Sequence, residues 1–137
     1  MSEQSAADSA GEVQDTSVVV SRKVSRPVKE VWQVLMTDEG AEALLGPGSK
    51  LGSKGHTWTA IDGRSGVIRS FHPMEEIRFS WRRDEASAPS MVALELVSEG
   101  DVTNLQVTHS KLAADTDRSW LQDRWTAALE RIESDCL

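Results

Sequence analysis

The sequence predicts an α+β domain: a curved antiparallel sheet of six strands packed on one long C-terminal helix, with two short helices after the first strand. Three observations lead there. Apolar residues recur with helical spacing in two places, residues 28–45 and 118–133, toward the two ends of the chain. Between them, residues 56–110 alternate apolar and polar side chains in runs broken by Gly, Asp and Pro. Finally, 137 residues with 39% hydrophobic content fit one domain with a full core and leave little room for two.

The first strand is the β-branched run Val18–Val24, stopped by Pro27. Pro27 suits the first turn of a helix, with Ser25 or Arg26 at the cap position. Val28, Val31, Trp32 and Leu35 then form an apolar stripe at i, i+3, i+4 and i+7. Thr37-Asp38 breaks that helix and caps a second one, Glu39–Leu45, which Gly46-Pro47-Gly48 ends. Residues 48–55 are rich in Gly, Ser and Lys and read as a flexible connection. His56–Ile61 is a strand, Asp62-Gly63 its hairpin turn and Gly66–Phe71 the returning strand. Ile77, Phe79 and Trp81 alternate with Arg78, Ser80 and Arg82 in the next, beyond Pro73. Val92, Leu94 and Leu96 mark a fifth strand after the loop Asp84–Pro89, and Glu99-Gly100-Asp101 turns the chain into Thr103–Ser110. In that sixth strand Leu105, Val107 and His109 share a face. The closing helix carries Leu121, Trp125, Ala128, Leu129 and Ile132 on one stripe, with Asp115 and Asp117 near its positive end. A sheet with one apolar face needs a cover, and this helix is the candidate.

Charge and cysteine usage narrow the class. A net charge of −7 argues against a nucleic-acid groove or an anionic membrane patch, both of which need clustered cations. The single cysteine, Cys136, allows no internal disulfide and no cysteine metal cage. No apolar run approaches the ~18 residues of a membrane span, and the first residues do not read as a signal peptide, so the expectation is a cytoplasmic protein. Residues 1–16 hold Glu3, Asp8, Glu12 and Asp15 with no Lys or Arg, and read as a disordered acidic tail before a domain at 17–135.

The run from Val20 through Arg22, Pro27 and Val28 to Val31-Trp32 resembles the opening of START-like (SRPBCC) domains. Further segments resemble the bacterial branch named after the activator of the heat-shock-protein-ninety ATPase. They are Thr37-Asp38, Gly46-Pro47, Asp62-Gly63 with Gly66, Ile77–Trp81, Gly100–Thr103 leading into Leu105–Ser110, and Trp125 with Ala128-Leu129. The likeness spans about residues 17 to 134. It implies a helix-grip fold around an apolar pocket, in a family that binds lipids, sterols and polyketides or, in some branches, acts on them. Where that branch carries a Trp pair before Gly-Pro, this chain has Leu44-Leu45, which keeps an apolar lid of different shape.

The search for chemistry returns binding features. His56, His72 and His109 fall on separate elements, with no metal-ligand spacing. His109 lies on the inner face by parity. It reads either as a polar anchor in the pocket or as a buried imidazole bonded to protein, and the second is the more economical. Arg22 shares parity with Val20 and Val24, so it either holds an anionic ligand or, more simply, forms a structural ion pair. Five tryptophans suit the wall of a cavity for a mainly apolar ligand with one polar end or, for four of them, plain core packing. The absence of tyrosine removes the phenol acid that could serve a cyclase. Trp120 lies off the helix stripe and is the candidate for the mouth. No Gly-x-Ser-x-Gly is present, Cys136 sits in a terminal tail, and Gly52-Ser53-Lys54 is no phosphate loop.

The expected function is therefore binding of a small hydrophobic molecule without evident catalysis. The expected ligand-binding set is Trp32, Leu35, Leu45, Trp58, Ile68, Phe79, Trp81, Leu94, Leu96, His109 and Trp120. No metal, cofactor, nucleic acid or membrane is expected, and the chain is a monomer or weak homodimer. The alternatives are an enzyme using His109 as base on a hydrophobic or polyketide-like substrate, and a protein-interaction module that partners a chaperone.

Overall fold

A computed structural model describes residues 17–84, 88–112 and 116–136. The acidic stretch 1–16, residues 85–87 of the Asp84–Pro89 loop and Asp115 lie outside the described residues, as does the side chain of Cys136. Strand β1 is Val18–Val24, followed by α1 (Val28–Leu35) and α2 (Asp38–Leu45). Five strands follow: β2 (Thr57–Thr59), β3 (Ser65–His72), β4 (Glu76–Trp81), β5 (Ser90–Glu99) and β6 (Val102–Ser110). The long helix α3 (Arg118–Arg131) continues into a π-helical turn, Ile132–Cys136. The strands form one sheet in the order β1-β6-β5-β4-β3-β2, every neighbour antiparallel. The sheet is curved and open, the helix-grip architecture that the sequence predicts.

Side-chain alternation sets the inner face. Val92, Leu94 and Leu96 are buried on β5, and Thr103, Leu105, Val107 and His109 on β6, while the intervening residues keep contact with solvent. Across the ladders Ile77 pairs Leu94, Leu94 pairs Val107 and Val20 pairs Val107, so apolar side chains meet in rows. Onto these rows α3 lays Leu121, Trp125, Ala128, Leu129 and, at the start of the π turn, Ile132, all buried. Each large apolar side chain so enclosed contributes roughly 1.5–3 kcal/mol relative to exposure. The opposite end of the cover is α1, which buries Val31 and Leu35.

Four local expectations change. Pro27 is the cap of α1 rather than a residue of its first turn, with extended ψ of 153° and no side-chain cap. The strand expected at His56–Ile61 shrinks to Thr57–Thr59. Ala60 N–H already bonds the Arg64 carbonyl at 2.8 Å to start the turn, and Gly63 follows at φ 99°. Ile61 then stands 84% exposed. The Gly/Ser connection is tied down rather than free. Ser49 is buried and its hydroxyl bonds the Gly46 carbonyl at 2.5 Å, while Gly55 N–H reaches the Ile68 carbonyl at 2.8 Å. Leu44 and Leu45 are core, both fully buried, and form no lid. Thr37 does cap α2, its hydroxyl accepting from Gly40 N–H at 3.1 Å.

Candidate functional site

The ends of β4, β5 and β6 meet α3 in a compact polar cluster within the apolar core. Trp81 closes β4, and its register partner Ser90 opens β5. His109 lies opposite Val92, near the end of β6. α3 sets Trp125 beside it, with the two rings edge-on at 5.9 Å, and the Trp81 and His109 rings meet edge-on at 5.0 Å.

The proton positions follow from donor and acceptor chemistry. An indole nitrogen can only donate, so Trp125 Nε1–H gives its hydrogen to His109 Nδ1 at 3.1 Å. The single proton of the neutral ring then sits on Nε2, 2.6 Å from Ser90 Oγ, which accepts it. Ser90 passes its own hydrogen to the Trp81 carbonyl at 3.1 Å. His109 is fully buried, and burial, reinforced by the nearby Arg124 cation, lowers its pKa from 6.5 to about 4.

A serine beside a histidine invites comparison with a nucleophile and its base. Here the pair is wired in the opposite sense. In such a pair Nδ1 bears the proton and a carboxylate holds it, leaving Nε2 free to take hydrogen from the serine. Trp125 occupies the carboxylate's place and donates, which fixes the tautomer that gives hydrogen to Ser90. With its pKa near 4, the ring is also a weak base at neutral pH. His109 is the buried, protein-bonded imidazole that the sequence reading favoured, and both of its nitrogens are already engaged.

This wiring has a pH signature. A folded-state pKa below the unfolded value means that the unfolded chain binds more protons between pH 6.5 and 4, so stability falls as pH falls through that window. From pH 7 to pH 5 the loss from His109 is expected to be about 2 kcal/mol. Imidazole titration by NMR checks it: the His109 signals should stay in the neutral form to about pH 4 in the folded protein. A midpoint near the ordinary value would contradict a buried, neutral ring beside the Arg124 cation.

Arg124 completes the cluster and was missed by the sequence reading. Its Cζ lies 4.6 Å from the centre of the Trp125 ring and 5.9 Å from that of Trp81. Its Nε and Nη1 are buried without a hydrogen-bond partner among the described residues, and the same holds for Trp81 Nε1. Burial first, then the Arg64 cation, lowers its pKa from 12.5 to about 10, with Asp62 pulling the other way. It remains a cation at neutral pH. The signal was in the spacing: Leu121, Arg124, Trp125 and Ala128 fall at i, i+3, i+4 and i+7, which sets a charge on the buried stripe. Ser90 gave no such signal.

The other expected ligand residues spread through the core. Leu35, Leu45, Trp58, Ile68 and Phe79 are fully or almost fully buried in one cluster with Leu94 and Leu96. Trp58 donates to the Ser80 carbonyl at 3.3 Å and meets Phe79 edge-on. Trp32, partly buried, packs edge-on to Phe71 at 5.3 Å. Trp120 is 50% exposed on the first turn of α3. Arg22 takes the structural option. Its Nε bonds Glu133 Oε1 at 2.7 Å, and Glu130 lies 3.7 Å away, which ties β1 to the end of the C-terminal helix. Among the described residues no three His, Cys, Asp or Glu gather as a metal site, and no helix is long and apolar enough to cross a membrane.

The family profile described as "Activator of Hsp90 ATPase homolog 1-like protein" matches residues 25–134, from the end of β1 through α3. The chain belongs to this family. No curated protein matches it significantly. Its fold is shared with CalU16 from Micromonospora echinospora, at TM-score 0.72 and 24% identity over 85% of this chain and 71% of that one. DynU16, a protein of the dynemicin biosynthetic locus, superposes at 0.72 with 19% identity, over 86% of this chain and 46% of its own length. An Hsp90 activator from Plasmodium falciparum does so at 0.71 with 22% identity, over 86% and 94%. At these identities the likeness to the solved structures is one of fold.

Proposed function

We propose that this family member binds a small hydrophobic molecule where α3 meets the ends of β4–β6, without acting on it chemically. One observation carries the reading. Trp81 is buried to all but 6% of its surface, yet its indole N–H lacks an acceptor among the described residues, beside a cluster in which the His109 Nε2 and Ser90 hydroxyl hydrogens are used. Buried donors without partners are rare and costly, and a ligand acceptor at that point relieves the cost. Trp81 and Trp125 supply aromatic walls, His109 offers the edge of its ring, and Trp120 at the start of α3 marks the rim. Leu94 and Leu96 extend the apolar floor, and Trp32, Leu35, Leu45, Trp58, Ile68 and Phe79 support it from the remainder of the core. DynU16's place in the dynemicin biosynthetic locus fits a small-molecule reading. The chain works as a monomer or weak homodimer in the cytoplasm, and no cofactor enters the scheme.

Five tryptophans without tyrosine make intrinsic emission a direct readout. Titration with fatty acids, sterols and flat aromatic compounds is expected to give a saturable change for at least one class, lost in Leu94→Trp. A flat response from folded protein across the panel would sink this reading. A chaperone partner, as for the Plasmodium falciparum protein, would then be the better account.

A further inference from the structure

We infer that the ligand is an acid, and that Arg124 and Trp81 together receive its carboxylate. The inference rests on the binding reading above and adds the chemistry of the polar end. Among the described residues three buried N–H groups lack partners at one place: Arg124 Nε, Arg124 Nη1 and Trp81 Nε1. The Arg124 guanidinium carbon is 5.9 Å from the Trp81 ring centre, so the two side chains adjoin. All three atoms are donors and none accepts, so an alcohol or amide would satisfy them only with its oxygen. A carboxylate brings two oxygens, each able to accept more than one hydrogen, and a full negative charge to set against the guanidinium.

Charge balance points the same way. Asp62 does not serve Arg124 as a partner, because it is committed to Arg64, Oδ2 to Nη2 at 2.6 Å. The Arg64 cation repels Arg124 while the Asp62 carboxylate attracts it, so this ion pair offsets itself and gives Arg124 no counter-ion of its own. Arg22, the other partly buried arginine of the inner face, is neutralised by Glu133. Arg124 alone in this region combines burial, aromatic stacking and unfilled donors. A ligand anion would complete it and leave the apolar remainder against Trp81 and Trp125. The side chain keeps partial contact with solvent, so this end of the site is approached from outside.

The test compares matched pairs in the full-length protein: dodecanoic acid with methyl dodecanoate, and naphthoic acid with its methyl ester, with acetate as the bare anion. The acid of at least one pair is expected to bind about tenfold or more tightly than its ester. Arg124→Met, which keeps the aliphatic stem, should erase the difference while ester binding persists. If Arg124→Met does not fold, Arg124→Lys serves, since it keeps the charge but lacks Nε and the planar fork. It should lose most of the preference. Equal binding of acid and ester overturns this inference and leaves the hydrophobic reading intact. Acetate binding as tightly as dodecanoate would reveal a small-anion site and overturn it as well. Failure of every acid and ester sinks both readings together.

Discussion

Replacing Trp125 with alanine is expected to lower the unfolding free energy by about 4 kcal/mol, and Trp125→Phe by about 2 kcal/mol, for separable reasons. Trp125 is fully buried at the middle of the α3 stripe, so alanine leaves a large void among Leu121, Leu129 and the inner face of the sheet. Phenylalanine refills most of that volume. What it cannot replace is the hydrogen given to His109 Nδ1, 3.1 Å away. That acceptor would then be buried and unpaired. The phenylalanine variant therefore carries a second signature. With no donor on Nδ1, protonation there costs less, so the His109 pKa should rise above about 4, while burial and the Arg124 cation still hold it below 6.5. The stability loss between pH 6.5 and 4 should shrink accordingly. Denaturant melts at pH 7 and pH 5, with histidine titration by NMR, check both effects. A phenylalanine variant with wild-type stability and an unchanged His109 midpoint would show that the bond contributes nothing.

The case of Trp125 also shows what was legible in the sequence and what was not. Its place on the buried stripe was readable, because helical period depends only on local spacing and the stripe 121, 125, 128, 129 and 132 is clean. The strands were readable for the same reason, from alternation along β4–β6. Its partnership with His109 was not, since these residues come together across 16 positions through a particular helix-to-sheet docking. Ser90 meets His109 across 19 positions, and the β5–β6 register brings it there. Arg124 was readable and not singled out: its position at i+3 from Leu121 sets a charge on the apolar stripe. The strand expected from His56 to Ile61 erred for a different reason. Apolar residues continue through Ala60 and Ile61, but the Asp62-Gly63 turn draws its first hydrogen bond from Ala60, so turn chemistry prevails over pattern. The family likeness was available because it rests on colinear local segments. The site rests on long-range contacts, and these it did not supply.

Gly66 is where such a long-range contact meets a strict steric limit. Gly66→Ala is expected to cost about 3 kcal/mol or more, which for a domain of this size lowers Tm by about 10 °C. A Cβ at position 66 would stand 1.8 Å from the Ser80 carbonyl oxygen and 2.6 Å from Trp58 Nε1. The first neighbour is backbone and cannot swing aside. The second is the indole nitrogen that bonds the same carbonyl at 3.3 Å, from the residue directly opposite Gly66 in the β2–β3 ladder. Relief would have to come from sliding β3 against β4. That motion breaks the paired bonds of Ser65 with Arg82, at 3.2 and 2.8 Å, and the Val67 N–H bond to the Ser80 hydroxyl at 2.9 Å. It would also disturb the Trp58–Phe79 contact behind them. Gly100→Ala provides the contrast. Gly100 has φ of 74° and no neighbour within 4 Å of a Cβ, so alanine there carries only backbone strain, about 1 kcal/mol. Thermal melts of the two variants separate crowding from strain. Equal losses would mean that the β3–β4 edge adapts at little cost, and that Gly66 is not held by the Trp58–Ser80 contact.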